Sequence, residues 1–415
     1  MRIGYACLTR GIPYTDIKGT VQKNATEARL RELIAHNLAS LDRMLDYNRD
    51  SGIHMLRISS DIIPFGSSPV NTLQWEEEFE EKLAALGRKL KAYDIRVSMH
   101  PGQYTVLNSP RIEVVDRAIL DLEYHVRFLG ALGTDATNKI ILHVGGVYGD
   151  KQSAMDVFSE NWKKLQDSIK SRLVIENDDR SYTIEDVLEL GTKNGIPVVF
   201  DNLHHQVNGN GESDLSWIEE ASKTWKQKDG VQKIHYSQQD GNKNPGAHSG
   251  TIDVAEFLKY IEENSGIDFD IMLEVKDKNL SAAKAINALD TNNIIQLEKE
   301  WSRYKYNVLE SSPRIYQEIR ELLKDKPSYP VIEFYKLIDQ ALETAPTLGT
   351  SINALEHVWG YFKDIADDKE RTWYAKTIDS ASNDILSLSA AKKKLWSMVD
   401  KYDEKYLKNS YYFHL

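Results

Sequence analysis

Cysteine, long apolar runs and positive charge are all scarce in this sequence. Cys7 is the single cysteine among 415 residues, so an intrachain disulfide is excluded and the chain fits a reducing, cytoplasmic compartment. No stretch approaches the roughly 18 consecutive apolar residues of a membrane-spanning helix. The N-terminal MRIGYACLTRG lacks the apolar core of a secretory signal. These absences predict a soluble globular protein with no membrane partner.

The net charge of −11 argues, taken alone, against a nucleic-acid partner, because phosphate contacts require local positive potential. The charge is uneven along the chain. Residues 281–415 contain 19 Lys and Arg against 20 Asp and Glu, a net of −1, which leaves −10 for residues 1–280. If acidic residues surround bound cations, however, the formal charge misjudges the potential that a substrate meets.

Short β-rich runs alternate with amphipathic helical stretches from residue 1 to about residue 280. Eight such alternations over this length predict a (β/α)8 barrel. No GxGxxG follows the first run, which disfavours a doubly wound sheet. The predicted strands are residues 2–8, 54–59, 95–100, 139–145, 172–177, 197–202, 232–237 and 270–275.

The pattern changes after about residue 280, where helical segments follow one another without a convincing strand. Ser-Ser-Pro (311–313), Lys-Pro-Ser (326–328) and Thr-Leu-Gly-Thr (347–350) separate these segments. We therefore predict two domains, a barrel over residues 1–285 and an all-α domain over residues 298–415.

Metal-capable side chains fall at the carboxyl ends of the predicted strands, which meet on one rim of a barrel. Any one of them alone is more often an ordinary polar residue, so the prediction rests on their joint pattern. Lys233 shares a strand face with His235 and points into the barrel, where an unpaired ammonium is costly. The candidate metal ligands are His100, His143, Glu176, Asp201, His204, His235, His248 and Glu274.

This mixture of imidazole and carboxylate suits Mn²⁺, Zn²⁺ or Fe²⁺, and the carboxylates can bridge two ions. Ions so held can activate water, bind a phosphate and stabilise a leaving oxygen. Two rival functions stay open at this point. One is a metal-dependent sugar isomerase or epimerase of the xylose-isomerase type; the other is a non-catalytic binding protein with structural metals.

Several segments together resemble the UV damage endonuclease family over residues 1 to about 280. They include SMHPGQYTVLNSP (98–110), ILHVGGVYGDK (141–151), LVIENDDRSYT (173–183), FDNLHH (200–205) and LEVKDK (273–278). The resemblance implies a metal-dependent enzyme that nicks damaged double-stranded DNA immediately 5′ of a photolesion. Such a cut leaves a 3′-hydroxyl and a 5′-phosphate.

The resemblance also implies roles for individual residues. The candidate ligands match the family's metal positions, with up to three ions, of which Mn²⁺ is expected and Zn²⁺, Co²⁺ or Mg²⁺ are alternatives. Glu176, Lys233, His235 and Glu274 are the expected catalytic residues, and Lys233 matches a lysine that can be carboxylated. Gln103, Tyr104 and Tyr5 match residues that contact the lesion or the flipped nucleotides. Ser67 and Ser68 stand where the family often has a histidine, so one ion is expected to have fewer protein ligands.

The C-terminal part resembles the DUF1722 family, a small helical domain of unknown function. WSRYKYNVLESSPRIYQEI (301–319), NALEHVWGYFK (353–363) and YDEKYLKNSYYF (402–413) carry the resemblance. It implies an accessory module that could serve a further partner. The interleaved Tyr, Trp and Lys side chains are interpreted as an aromatic core with a solvated basic face.

Overall fold

The computed structural model describes residues 1–290, 294–381 and 385–415. Eight parallel strands close into a barrel in sequence order, which confirms the predicted (β/α)8 fold. Every strand lies inside the segment predicted for it. The strands are β1 (Ile3–Ala6), β2 (Met55–Ile58), β3 (Arg96–Met99), β4 (Ile140–His143), β5 (Leu173–Glu176), β6 (Val198–Asp201), β7 (Lys233–Tyr236) and β8 (Asp270–Leu273).

Helices surround the barrel and turn their apolar stripes toward the strands. In α4, for example, Val115, Ala118 and Leu122 recur at helical spacing and are buried. None of the helices in the described ranges has the length and apolar character needed to cross a bilayer. The helices are α1 (Glu27–Asp50), α2 (Trp75–Glu78), α3 (Glu80–Ala92), α4 (Ile112–Ala131), α5 (Lys151–Lys164), α6 (Asp167–Lys170), α7 (Ile184–Asn194), α8 (Asn202–Asn208), α9 (Asp214–Ser222), α10 (Val254–Glu263) and α11 (Asn279–Leu289).

The barrel encloses an apolar layer above a network of buried ion pairs. Ile141, Val174 and Val199 pack together, each two residues before the end of its strand. Toward the amino ends of the strands, Arg96 Nη1 lies 3.0 Å from Asp270 Oδ2. Because buried ion pairs fill the barrel near the amino ends of the strands, the carboxyl ends are the face at which a reaction can take place.

The buried pair between Arg96 and Asp270 yields a stability prediction. Asp270→Asn keeps the shape of the side chain but leaves the Arg96 guanidinium without its counter-charge, so we expect the barrel to lose about 3–5 kcal/mol of unfolding free energy. Denaturant titration of the full chain would measure the loss. Asp94→Asn is the matched control, because Asp94 pairs with Arg2 at the surface and its side chain is 73% exposed. Equal stability of the two variants would contradict the assigned role.

The chain forms two compact units. The first comprises Met1–Thr9, Tyr14–Ile252 and Glu256–Ile286, and the second comprises Arg10–Pro13, Asp253–Ala255 and Asn287–Leu415. The second unit is helical in its described part and has its own apolar core around Leu355, Leu395 and Tyr412. Its helices are α12 (Ile294–Ser311), α13 (Pro313–Leu322), α14 (Val331–Glu343), α15 (Leu348–Trp359), α16 (Asp368–Ala381), α17 (Ile385–Lys401) and α18 (Lys405–Lys408).

Candidate active site

Glu176, the last residue of β5, is the centre of a polar cluster at the carboxyl ends of the strands, and its side chain is 1% exposed. The strand register places His143 beside Glu176 and, further round the barrel, Asp201 beside His235. His100 directly follows β3, and its Nε2 lies 3.4 Å from Glu176 Oε2. The fold thus brings together five of the residues predicted at the strand ends.

Three further histidine contacts surround the same carboxylate. His143 Nε2 lies 3.9 Å from Glu176 Oε2. His204 Nδ1 and His235 Nδ1 lie 3.7 and 2.8 Å from Glu176 Oε1. Because one carboxylate contacts side chains from β3, β4, β7 and the start of α8, its position determines the shape of the whole cluster.

Backbone carbonyls fix the protonation of two of the histidines. His100 Nδ1 donates to the Pro101 carbonyl at 3.0 Å, and His204 Nδ1 donates to the Asn177 carbonyl at 2.9 Å. A carbonyl oxygen can only accept, so each Nδ1 carries the proton. In the neutral form of each ring, Nε2 therefore has the lone pair that a metal ion requires.

Several buried polar atoms of the cluster have no hydrogen-bond partner among the described residues: Glu176 Oε2, Asp201 Oδ2, His143 Nδ1 and His235 Nε2. Leaving such atoms unpaired is costly, so a buried group of them calls for a ligand. The donors form two groups in which all ligand atoms lie within 4.8 Å of one another: His100, His143 and Glu176, and Glu176, Asp201 and His235. Their chemistry fits divalent cations.

The electrostatics of the cluster also favours a bound cation. Burial lowers the pKa of His100 to about 4, so this imidazole stays neutral at physiological pH. Burial alone would lower the pKa of His204 as well, but the carboxylates of Asp201 and Glu176 outweigh it and raise the pKa to about 9. The same carboxylates would stabilise a metal ion.

Glu274, directly after β8, extends the cluster toward β2. Its Oε1 lies 3.1 Å from His235 Nδ1, and Arg57 Nη1 donates to the same oxygen. Burial raises the pKa of Glu274, but Arg57 and then His235 outweigh burial and hold the pKa below its usual range. Sequence reasoning missed Arg57, although the alternation of β2 could have indicated that it shares the inner face with Met55.

Lys233 lies beneath the cluster, two residues before His235 on the same face of β7, and is 1% exposed. Its register partner is Asp270 of β8. Burial, followed by the charges of Arg96 and Arg57, lowers the pKa of Lys233 well below its usual value. The Lys233 side chain therefore lies in the barrel interior, on the side of the cluster toward the amino ends of the strands.

Two predicted site residues have hydrogen-bond partners outside the cluster. His248, in the loop after β7, belongs to neither ligand group, and its Nδ1 lies 2.9 Å from Ser237 Oγ. Tyr5 is fully buried and its hydroxyl donates to Asn48 Oδ1 at 3.0 Å, so the ring faces α1. The structure therefore does not bring Tyr5 to the rim, which differs from the DNA-contacting role predicted for it.

Gln103 and Tyr104 occupy the tip of a β-turn that follows His100. The Thr105 N–H donates to the Gly102 carbonyl at 2.9 Å, which places Gln103 and Tyr104 at the two central positions. Thr105 Oγ1 donates to Asp121 Oδ2 at 2.7 Å and ties the turn to α4. Tyr104 is 84% exposed. A fixed base thus presents an aromatic ring and an amide to solvent.

A cleft of about 1420 Å³ connects this turn with the polar cluster. His143 and His204 lie on its lining together with Gln103 and Tyr104. The volume exceeds the roughly 300–1,000 Å³ of small-molecule pockets. Arg111 and Arg117 also line it and make no ion pair within the described part of the chain, so two positive side chains are available beside the four aspartates of the lining.

Two asparagines, also missed from the sequence, extend the strand pairing around the cluster. The Asn177 side chain accepts from the Asp201 N–H at 2.9 Å and donates to the Asp201 carbonyl at 3.0 Å. Asn202 does the same with Ser237, at 2.8 and 3.0 Å. Each asparagine directly follows a carboxylate residue of the rim. The repeated Glu-Asn and Asp-Asn pairs in the sequence could have indicated these two asparagines.

Asn177→Ala is therefore expected to weaken Mn²⁺ binding by about 10–100-fold, because the Asp201 backbone loses both partners. Calorimetric titration of metal-stripped protein would measure the affinity. Asn194→Ala is the matched control, since its half-buried amide donates to Ser159 Oγ and the Leu190 carbonyl, away from the cluster. The control should lose stability without losing Mn²⁺ affinity. Unchanged Mn²⁺ affinity in Asn177→Ala would refute the positioning role.

Comparison with known proteins identifies the family. The family model described as UV-endonuclease UvdE matches residues 2–304. The chain belongs to the UV-endonuclease UvdE family. The resemblance inferred from the motifs is therefore confirmed. The model of a protein of unknown function, DUF1722, matches residues 305–415 and confirms the second resemblance.

Individual UvdE relatives agree with this assignment. The UV DNA damage endonuclease of Clostridium perfringens is 40% identical over 385 residues, covering 91% of this chain and 92% of that protein. A Bacillus cereus protein of the same name is 34% identical, covering 65% of this chain and 86% of its own length. The crystal structure of SacUVDE has a TM-score of 0.67 at 39% identity and covers 70% of this chain and 98% of that chain.

Proposed function

We propose that the chain is a metal-dependent endonuclease that cuts duplex DNA immediately 5′ of UV photolesions and leaves a 3′-hydroxyl and a 5′-phosphate. The observation that carries the proposal is the convergence of histidines and carboxylates on Glu176 beside a cleft whose wall bears Gln103 and Tyr104. Membership of the UvdE family and the names of the relatives support the reaction.

Up to three divalent ions, with Mn²⁺ expected and Zn²⁺, Co²⁺ or Mg²⁺ as alternatives, are proposed to bind at the rim. Such ions act as Lewis acids toward phosphate oxygens and lower the pKa of water. The proposed ligands are His100, His143, Glu176, Asp201, His204, His235 and Glu274, with His248 from the loop after β7.

The side chains of the cleft bind and orient the DNA in this proposal. Gln103 and Tyr104 enter the base stack at the lesion, where weakened pairing reduces the cost of insertion. Arg111 and Arg117 contact backbone phosphates. Selectivity then comes from deformability of the duplex and not from its sequence.

Glu176, Lys233, His235 and Glu274 are the proposed catalytic residues. His235 contacts Glu176 and Glu274 and holds both carboxylates in place, while Arg57 neutralises part of their charge. Lys233 is proposed to be carboxylated, since a carbamate would remove a positive charge buried near Arg96 and Arg57. Residues 1–285 form the proposed catalytic domain, and residues 298–415 form an accessory domain.

An incision assay tests the proposal. A labelled mixed-sequence duplex with one photoproduct is incubated with the full chain and Mn²⁺, Mg²⁺, Zn²⁺ or Co²⁺ in separate reactions. We expect a single cut 5′ of the lesion that chelator abolishes. Intact DNA together with turnover of a ketose would favour a sugar isomerase. Lesion binding without a cut under any of the four ions would favour a non-catalytic binding protein.

A further inference from the structure

At least eight basic side chains in the described parts of the helical unit pair with carboxylates. Lys305 of α12 and Arg320 of α13 do not: neither has a carboxylate partner within the described parts of the unit, although Lys305 is half-buried. The paired residues are Arg303 with Glu300, Arg314 with Glu318, Lys324 with Glu321, Lys326 with Glu298, Lys336 with Glu333, Lys392 with Glu310, Lys401 with Glu370 and Lys408 with Asp403.

Tyrosine rings take the place of carboxylates around these two cations. Lys305 Nζ lies 5.1 Å from the ring centroid of Tyr306 and 5.8 Å from that of Tyr406. Arg320 Cζ lies 5.8 Å from the ring centroid of Tyr316. Cation–π contacts hold the cations in position but leave their charge uncompensated. Burial, followed by the charge of Arg320, lowers the pKa of Lys305.

The same tyrosines supply hydrogen-bond donors. The Tyr306 hydroxyl donates to the Tyr361 hydroxyl at 2.9 Å, so the Tyr361 proton is left for another acceptor. The Tyr361 ring stacks on Tyr406, with centroids 5.7 Å apart and an interplanar angle of 12°. Burial raises the pKa of Tyr406 to about 12, so its hydroxyl stays protonated and can donate. The hydroxyls of Tyr316 and Tyr406 have no partner among the described residues.

We propose that Lys305, Arg320 and the hydroxyls of Tyr316, Tyr361 and Tyr406 bind a phosphate monoester group. Two uncompensated cations match a group that carries a charge of about −1.5 to −2 at pH 7 and has three acceptor oxygens. A phosphodiester carries a single negative charge and matches this set less well. The phosphate could belong to a free small molecule or to the 5′ end of a nucleic acid.

Calorimetric titration of the chelator-treated full chain tests the site, because stripping the metals removes phosphate binding at the barrel rim. The probes are inorganic phosphate, a 5′-phosphorylated oligonucleotide and the same oligonucleotide with a 5′-hydroxyl. We expect saturable binding of at least one phosphate probe. Any binding of the 5′-hydroxyl oligonucleotide, for example at the cleft of the barrel, should not change in the variants described below. Tighter binding of the 5′-phosphorylated oligonucleotide than of inorganic phosphate would identify a nucleic-acid end as the source of the phosphate. Equal affinity for these two probes would identify a free phosphate.

Three variants assign the binding to these side chains. Lys305→Met and Arg320→Gln should each weaken phosphate binding at least about tenfold, and Tyr361→Phe should weaken it a few-fold by removing one donor. Lys336→Met is the matched control, because Lys336 is 73% exposed and contacts Glu333. If Lys305→Met unfolds the chain, the other two variants still decide the test, because Arg320 is exposed and Tyr361→Phe removes only one hydroxyl group. Absence of saturable binding to either phosphate probe, or variants that bind like the control, would overturn the proposal.

Discussion

Glu176→Gln is expected to reduce incision of a photolesion duplex by at least about 10³-fold while sparing most of the binding to the lesion. The substitution removes one negative charge without changing the shape of the side chain. Glu176 belongs to both ligand groups and contacts histidines from both, so its charge would stabilise an ion bound at either group. Single-turnover incision and filter binding on the same duplex would separate the two effects.

The matched control for this substitution is Glu189→Gln, which makes the same chemical change at an exposed position of α7. Its incision rate should equal that of the unmodified chain. If Glu176→Gln retained incision within about tenfold, or if it lost lesion binding in parallel with incision, the role of Glu176 in holding catalytic ions would be refuted.

The double substitution Gln103→Ala with Tyr104→Ala is expected to lower the preference for damaged over intact duplex by about 10–100-fold. Stacking of a base on an aromatic ring is worth about 1–3 kcal/mol, and Tyr104 at the turn tip presents such a ring. The residues proposed to bind phosphates and ions are unchanged, so residual incision should persist at saturating DNA. Competition binding with lesion-bearing and intact duplexes would measure the preference.

Tyr14→Ala is the control for the aromatic loss, because Tyr14 is 49% exposed but does not line the cleft. Its lesion preference should match that of the unmodified chain. An unchanged preference in the double variant would show that Gln103 and Tyr104 do not probe the duplex, whatever their effect on overall affinity.

The barrel could be predicted from sequence because its signals are local. Each strand carries buried β-branched residues and is followed by a periodic helix, and the carboxyl ends of parallel strands always share a rim. The positions of His143, Glu176, Asp201 and His235 follow from this rule and from the strand register.

The remaining features depend on side-chain direction and on contacts between distant segments. Tyr5 lies near a strand end, but side chains alternate between the two faces of β1 and that of Tyr5 points toward α1. A shift of one residue along a strand is enough to exchange one face for the other. The pairing of Arg57 with Glu274 joins β2 to β8 across 217 residues. The direction of His248 depends on the conformation of a loop, which periodicity does not encode.

We propose that divalent ions bind around Glu176 and are required for cutting DNA. Crystals of the full chain grown with Mn²⁺ would test it directly through anomalous scattering. We expect anomalous peaks in contact with Glu176, with ligands drawn from His100, His143, Asp201 and His235. Mn²⁺-dependent incision by a chain whose anomalous peaks all lie away from Glu176 would contradict the proposal.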